Sequence, residues 1–332
     1  MHAAREQHAF RTKFWARSAL IRGQTFQKRS KSSCLTFTTY TYPTHNMGVV
    51  ALSEAEKKFV IDGASKNVRS DGREQRELRD VEIATGVIAQ ATGSARVRIG
   101  STDVIVGVKA EIGTPDVETP GHGAVEFSVE CSPLASPKFR GRGGDELSAE
   151  LSTAIEKSFG VGMAGEAAAL DLASLCILPG KSCWVLYVDA LVLDLDGSVV
   201  DAISVACRAA LEDAKIPKVE ILGEGEGQDF EVDDEESTRL DVGRVPLSLS
   251  VGLLGSSIIL DLTGSEEEAA TAVVSVSTNV QGDICGVSKL RGGGVVPALL
   301  MDMIGVAKKA MQERHDKVGA WLTERSTMVI DG

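Results

Sequence analysis

The fold of this protein is decided by two neighbouring stretches of sequence, RSDGREQRELRDVEI at 69–83 and GSARVRIGSTDVIVGVKAEIGTP at 93–115. The second stretch is rich in Val and Ile and is broken by Gly100 and Gly113. β-Branched residues favour strands, and glycine favours turns. The two stretches therefore predict strands at about 81–89, 95–99 and 103–111 that form a meander-like sheet.

Helical patterns flank this sheet on both sides. Upstream, Ser53 and Glu56 have the spacing of a capping box, which predicts a helix from 53 to about 68. Downstream, Asp145 and Glu146 open a helix in which apolar residues recur every four positions, namely Leu147, Leu151, Ile155 and Phe159. Strands at 176–178 and 184–193 and a small-residue helix at about 200–214 complete a first β-then-α half.

The rest of the chain repeats strands followed by a helix. After a short strand at 217–222, the sequences GEGEGQ and EVDDEES predict a solvated acidic loop. Strands are predicted at 245–253, 257–262, 272–277 and 281–289. A long helix at 295–323 has apolar residues near one face, namely Leu299, Met303, Val306, Ala310, Val318 and Leu322. These patterns predict an α+β protein of two similar β-sheet-plus-helix halves, at 48–215 and 216–332.

Charge separates the N-terminal segment from the remainder of the 332 residues. Residues 1–47 hold eight Lys or Arg and one acid, Glu6, which leaves 27 basic and 46 acidic residues and a net charge of −19 in the rest. The segment shows no helical or strand periodicity, so it is predicted to be disordered. It is either a transit peptide or an upstream extension with Met47 as the start. The acidic remainder excludes nucleic-acid binding through net charge, so RNA contacts require a local basic patch.

Composition also limits the compartment. The longest apolar runs fall short of the roughly 20 residues that a membrane-spanning helix needs, so no membrane partner is expected. The six cysteines lie mostly in apolar runs and form no CxxC pair, which favours buried, reduced thiols over disulfides or zinc: Cys34, Cys131, Cys176, Cys183, Cys207 and Cys285. A soluble protein of a reducing compartment is the expectation.

Catalytic motifs are few. GVGMAG at 160–165 fits GxGxxG but follows a predicted helix rather than a strand, so it is interpreted as a helix stop. PGKS at 179–182 lacks the first glycine of a P-loop and predicts a β-turn.

Downstream of residue 47 only His122 and His315 occur, with no HExxH or nucleophile motif. Asp194 and Asp196 precede Gly197 as turn formers. The residues alone therefore predict no catalytic residue, no metal ligand and no cofactor.

Several segments resemble the ribonuclease PH family, in order, from about 53 to 318. The 69–83 stretch resembles the family's RxDGRxxxxxR opening, and the 93–115 stretch resembles its first meander. The likeness continues through VEFSVECSPLASPKFRGRGGDEL, LPGKSCWVLYVDALVLDLDGSVVDAISVACRAAL and SVSTNVQGDICGVSKL. This resemblance implies a ribonuclease PH-like fold, also described as ribosomal protein S5 domain 2-like. Within the family, the chain is most similar to the non-catalytic ring subunits of RNA exosomes.

Active members of the family, as the resemblance implies, cleave RNA from its 3′ end by phosphate attack, usually with a divalent metal. Arginine is expected at the start of the helix after the first meander, where this chain has Asp145-Glu146-Leu147. A Gly-Ser-Arg turn is expected to hold phosphate, where the chain has Gly197-Ser198-Val199. Of the two expected carboxylates, Asp261 retains the first and Thr271 replaces the second. The resemblance therefore implies an inactive subunit.

As the resemblance implies, the partners are other ribonuclease PH-like exosome ring subunits, S1/KH cap proteins and single-stranded RNA. The location is the nucleus and nucleolus, and also the cytoplasm. Lys138, Arg140 and Arg142 form the densest basic cluster of the acidic part, and the neighbouring glycines let them approach phosphates. They are the candidate RNA-binding residues, against the alternative of a solvated loop. Two alternative functions stay open: an active phosphorolytic exoribonuclease and an organelle-targeted metabolic enzyme.

Overall fold

The computed structural model describes residues 52–136, 139, 143–160, 169–222 and 229–330. The predictions for residues 1–47 and for most of the GVGMAG motif lie outside the described residues. Gly160 itself follows a helix that ends at Ser158 and has a φ of 64°, which confirms its role as a helix stop. The domain boundary at residue 215 stays a prediction.

The first half contains a six-stranded sheet in the order β1-β2-β3-β6-β4, with β5 paired to β6. Its strands are β1 (Val81–Thr85), β2 (Gly93–Ile99), β3 (Thr102–Gly113), β4 (Ala124–Cys131), β5 (Cys176–Leu178) and β6 (Ser182–Asp194). The antiparallel pairing of β1 with β2 and of β2 with β3 confirms the predicted meander. Only β4 runs parallel to its neighbour among the pairs of this sheet.

The second half contains a four-stranded antiparallel sheet in the order β10-β9-β11-β12. Its strands are β9 (Leu247–Leu254), β10 (Ser257–Leu260), β11 (Ala272–Thr278) and β12 (Ile284–Gly292). Between the halves, β7 (Lys215–Leu222) and β8 (Asp229–Arg239) form an antiparallel ribbon.

Five α-helices accompany the sheets in the described part: α1 (Glu54–Ser65), α2 (Gly143–Ser158), α3 (Val199–Asp213), α4 (Gly264–Ala269) and α5 (Pro297–Ile330). The predicted capping box at Ser53 and Glu56 is present. All thirteen residues from Val199 to Leu211 of α3 are buried, because this helix packs against β2 and β3 on one side and β9 on the other. One hydrophobic core therefore includes residues of both halves.

The prediction of a loop over EVDDEES is wrong, because these residues lie in β8. Val232 pairs with Val219 of β7, and Phe230 packs partly buried against the main core. The alternation of Phe230 and Val232 with acids gives the ribbon one apolar side, which the acidic composition of the segment concealed. The prediction that cysteines are buried is also wrong for Cys285, which is exposed, although the five described cysteines are free thiols.

The predicted turn at Pro179-Gly180 is confirmed. The backbone N–H of Lys181 donates to the carbonyl of Leu178 at 2.9 Å, which closes a four-residue turn between β5 and β6. Gly180 has a φ of 75°, which glycine adopts without steric cost. The sequence is therefore a hairpin connection rather than a phosphate-binding loop.

Candidate functional site

The predicted site residues fall into two groups. Lys138, Arg140 and Arg142 lie outside the described residues, so the structure does not test them. Asp145 and Glu146 lie exposed in the first turn of α2, and Glu146 is followed by the half-buried Leu147. Among the described residues, no hydrogen bond or ion pair connects these two acids to the other predicted positions, which lie where the two halves meet.

The turn at Gly197-Ser198 forms the start of α3 and is buried against the second half. Gly197 has a φ of 75°, and a Cβ there would collide with the backbone of Leu262 and Thr263, so glycine is required. Ser198 also has a positive φ of 48°, and its hydroxyl donates to the carbonyl of Leu262 at 3.1 Å instead of capping its own helix. The turn is thus held by the segment that follows β10.

The carboxylate of Glu267 takes the position of an anion at this helix start. It accepts a hydrogen bond of 2.6 Å from the backbone N–H of Ser198, across 69 positions of sequence. Helix N-termini attract negative charge because their N–H groups lack partners and their dipoles point positive end outward. Here the backbone N–H of Ser198 already donates to the Glu267 carboxylate of α4. Val199, the next residue, has no guanidinium that could bind an anion at this helix start.

Asp261 follows β10 and is fully buried, with a φ of 50°. Arg79 binds its carboxylate through the backbone N–H at 2.8 Å, Nε at 3.0 Å and Nη2 at 2.6 Å. Arg314 donates another hydrogen bond at 3.2 Å, and Nη1 of Arg73 lies 3.7 Å away. Burial by itself raises the pKa of Asp261, but Arg314 and Arg79 outweigh burial and lower the pKa to about 2. Asp261 is therefore charged at physiological pH and is bound by arginines.

The three consecutive glutamates of α4 each bind a different element. Glu266 forms a buried, two-pronged ion pair with Arg69, with Nε–Oε1 and Nη2–Oε2 distances of 2.8 and 2.5 Å. Glu267 binds the start of α3, as described above. Glu268 accepts a hydrogen bond of 2.8 Å from the backbone N–H of Leu52, just before α1. This short helix thus connects three segments of the first half to the second sheet.

Asp201 lies in the first turn of α3 and is also fully buried. Its carboxylate accepts hydrogen bonds from the backbone N–H and hydroxyl of Ser250 on β9, at 2.9 and 2.7 Å. Nη1 of Arg314 is 3.9 Å away. Burial raises the pKa of Asp201 to about 7, because Arg314 at this distance offsets only part of the desolvation and Asp261 adds a like charge.

His315 is buried, and both of its ring nitrogens lie within hydrogen-bond distance of protein atoms. Its Nδ1 lies 3.1 Å from Nη1 of Arg208, and its Nε2 lies 2.9 Å from the carbonyl of Thr278. Since a guanidinium can only donate, Nδ1 accepts and Nε2 carries the proton. Burial and the charge of Arg208 lower the pKa of His315 to about 4, so the ring is neutral at physiological pH.

The residues at the carboxylate positions do not fit a divalent metal. Both oxygens of Asp261 accept hydrogen bonds from guanidinium groups, and the cations around it repel a metal ion. Thr271 is exposed and carries no carboxylate, while its backbone bonds to Leu253 and Gly293. Within the part of the chain that the structure describes, no three His, Cys, Asp or Glu side chains converge as a metal site.

The family resemblance implies that Gly197, Ser198 and Asp261 belong to one site, but it does not indicate that arginines surround Asp261. Arg69, Arg73 and Arg79 were visible as a motif, but only the fold brings the motif to the end of β10. The spacing of Thr263 and Glu266 is that of a capping box, and the backbone N–H of Thr263 donates to the carboxylate of Glu266 at 2.9 Å. That signal could have revealed α4.

Two family models match the chain in succession. Domain 1 of the 3' exoribonuclease family matches residues 77–217, and domain 2 of the same family matches residues 244–310. The chain belongs to the 3' exoribonuclease family. The match confirms the ribonuclease PH resemblance and assigns Asp201 and Asp261 of this exoribonuclease-family chain to different domains.

Similar proteins agree with this membership. The exosome complex component Rrp42 of Methanothermobacter thermautotrophicus is 35% identical over 262 residues, which cover 79% of this exoribonuclease-family chain and 92% of that protein. A chain of the Archaeoglobus fulgidus exosome with RNA bound to the active site has a TM-score of 0.66 at 30% identity, covering 79% of this chain and 97% of its own length. A chain of an archaeal exosome core has a TM-score of 0.64 at 28% identity, and the match covers 80% of this chain and 96% of that chain. These structures confirm the predicted α+β, ribonuclease PH-like fold.

Proposed function

We propose that this chain is a ring subunit of an RNA exosome and acts in 3′-to-5′ RNA processing and decay, including ribosomal RNA maturation and mRNA turnover, without catalysing phosphorolysis itself. The exosome assignment is supported by similarity over 92% of the length of an exosome component Rrp42 and by two exosome chains with the same fold. Its partners are other ribonuclease PH-like ring subunits, S1/KH cap proteins and single-stranded RNA.

The absence of phosphorolysis is supported chiefly by the contact between Glu267 and Ser198. A phosphate bound at the start of α3 would have to displace a carboxylate 2.6 Å from the Ser198 N–H, next to a buried ion-pair cluster. Three further features act in the same direction: the acids at the start of α2, the engagement of Asp261 by arginines, and the threonine at position 271. Each lost electrostatic donor costs about 10²- to 10³-fold in turnover, so their combined loss abolishes the reaction.

The test is a phosphorolysis assay on the purified full-length chain with an oligoribonucleotide and inorganic phosphate. We expect no release of nucleoside diphosphates. Activity that co-purifies with the chain and disappears when Lys138, Arg140 and Arg142 are changed to Ser would contradict the proposal. Activity that these changes leave intact and that elutes with the chain in gel filtration would contradict it as well, whereas activity that separates from the chain belongs to a contaminating nuclease.

The same three residues are proposed to contact RNA phosphates in the assembled ring. They form the densest basic cluster in a region of net charge −19, and phosphate contacts of this type are independent of base sequence. In a reconstituted ring, changing all three to Ser should weaken binding of single-stranded RNA and reduce its salt dependence by up to about two charge units. A matched control removes Lys308, Lys309 and Lys317 from the exposed side of α5. Unchanged affinity and salt slope in the first variant would assign the cluster to a solvated loop.

We further propose that the chain is an obligate hetero-oligomer. The edge strand β12 supports this, because it pairs only with β11 within the described residues and leaves Ile284 and Val287 46% and 43% exposed. Open, apolar strand edges favour association. Gel filtration should show Val287→Arg impaired in binding ribonuclease PH-like partners, whereas Leu134→Arg, at a 93% exposed loop position, should bind normally. A stable wild-type monomer that ignores such partners would refute the proposal.

The proposed location is the nucleus and nucleolus, and also the cytoplasm. Within the described residues no helix is long and apolar enough to span a membrane. Fluorescent fusions with and without residues 1–46 test the location. An organellar signal that depends on these residues would favour the transit-peptide interpretation and contradict the proposed location.

A further inference from the structure

Two cysteines face each other in the hairpin of β5 and β6. Cys176 and Cys183 are direct partners in the antiparallel register, and both are free thiols. Directly opposed Cα atoms of antiparallel strands lie about 4.5 to 5.5 Å apart, with both side chains on one face of the sheet. A disulfide spans Cα separations of about 4.4 to 6.8 Å, so the spacing of directly opposed residues lies within its reach. The register shifts by one residue between Cys176 and Leu178, but burial raises the pKa of Cys183 and the two thiols are close enough for Cys176 to contribute to that rise.

The two thiols differ in access. Cys176 is partly exposed and lines a cavity of about 400 Å³ together with Ile177, Trp184 and Pro217. Cys183 is completely buried. Cys176 is therefore the more accessible of the two residues to a small oxidant, and Cys183 is the thiol placed to react with it afterwards.

The hairpin forms without help from a disulfide. The turn at Leu178–Lys181 is closed by a backbone hydrogen bond, and the backbone N–H of Gly123 at the start of β4 donates to Leu172 at 2.8 Å in the short 3₁₀ turn before β5. The pairing of Cys176 with Cys183 therefore exists in the folded chain before any bond between the sulfurs forms.

We propose that Cys176 and Cys183 are a redox modification site that forms a reversible disulfide on exposure to a hydroperoxide. The Cys176 thiolate attacks one peroxide oxygen, the O–O bond breaks, and a sulfenic acid forms while the other oxygen leaves and takes up a proton as water or an alcohol. The sulfur of Cys183 then attacks the sulfenic sulfur, loses its proton and releases water. Two thiols are oxidised by two electrons in total, the peroxide is reduced, and a dithiol reductant reverses the bond.

The disulfide would fasten β5, which borders the cavity, to the central strand β6. This property is independent of the proposed place in an exosome, because it depends only on the hairpin of the folded chain. It also differs from the exposed Cys285, which has no cysteine opposite it in the register of β12 with β11.

The test treats the full-length protein with a low dose of hydrogen peroxide, alkylates the remaining thiols under denaturing conditions, and maps peptides by mass spectrometry without reduction. We expect a cross-linked peptide joining Cys176 to Cys183, the loss of two alkylatable thiols, and full recovery with dithiothreitol. Cys285→Ser should behave as wild type in forming this cross-link, whereas Cys176→Ser should not form it.

Cys183→Ala serves as a second variant, and circular dichroism checks that both variants are folded. If the buried change at position 183 prevents folding, the partly exposed Cys176→Ser still decides the result. Full alkylation of both cysteines at a dose that oxidises Cys285, or a cross-link from Cys176 to another cysteine, would overturn the proposal.

Discussion

Asp201 and Asp261 are equally buried and share Arg314 as a neighbour, yet their pKa values lie on opposite sides of the ordinary value. Asp261 receives three hydrogen bonds from Arg79 and one from Arg314, and its pKa falls to about 2. Asp201 receives its hydrogen bonds from Ser250, with Arg314 3.9 Å away, and burial raises its pKa to about 7. Burial therefore does not decide the charge of a carboxylate; the number and distance of its cationic donors do.

The two carboxylates also connect different parts of the molecule. Asp261 binds the 69–79 segment to the end of β10, whereas Asp201 binds helix α3 to strand β9. Both contacts cross between the halves. The first is an ionic connection that stays charged at physiological pH, and the second changes its charge state near neutrality.

The largest expected effect is that of Asp261→Asn. The amide cannot neutralise Arg79 and Arg314, and breaking a buried ion pair from one side costs about 3 to 5 kcal/mol. Urea unfolding followed by circular dichroism should show a much lower midpoint, while Asp194→Asn, at an exposed position at the end of β6, should change it little. Equal stabilities of the two variants would show that the folded state does not need the Asp261 carboxylate to neutralise Arg79 and Arg314.

An effect with the opposite dependence on pH is expected from Asp201→Asn. Because the folded pKa of about 7 lies above the ordinary 3.8, the folded state keeps a proton that the unfolded chain loses. This contribution is complete below pH 3.8 and is lost as pH rises to about 7, at about 1.4 kcal/mol per pKa unit. Urea midpoints measured across this window should fall more steeply for the wild type than for the variant.

A matched change sharpens this second prediction. The hydroxyl of Ser250 donates to Asp201 and thereby favours the charged carboxylate. Ser250→Ala removes this hydroxyl, so the pKa of Asp201 should rise further and stability should keep falling to a higher pH. The contribution of Asp261 has the reverse sign, since its lowered pKa makes stability fall only as pH drops from about 3.8 towards 2. Parallel pH profiles for wild type and Asp201→Asn would contradict the raised pKa.

The smallest expected effect is that of Glu267→Gln. The amide oxygen can still accept the Ser198 N–H, so only the charge at the helix start is lost, which costs about 0.3 to 1 kcal/mol. Thermal unfolding at low salt should show a small decrease that shrinks as salt is added. Glu313→Gln, in the middle of the exposed side of α5, is the control. A loss as large as that of Asp261→Asn would show that Glu267 belongs to the ion-pair cluster.

Much of the fold was readable because its signals are local. The capping box at Ser53 and the turn at Gly180 depend on residues within a few positions of one another, and the meander from Val81 to Gly113 pairs strands that are consecutive in the sequence. The β8 strand was missed because its acidic composition suggested a loop, and pairing with β7 and packing of Phe230 overrode that preference.

By itself the sequence determined most of the strands and helices, although not β4, β8 or α4, together with the acidic balance and the family resemblance. Only the tertiary structure decided that Asp261 binds arginines 182 and 53 positions away, and that Glu267 occupies the start of α3. The physical reason is that a carboxylate's charge and role depend on which cations and N–H groups surround it. Those neighbours are distant in sequence and meet only when the two halves share a core.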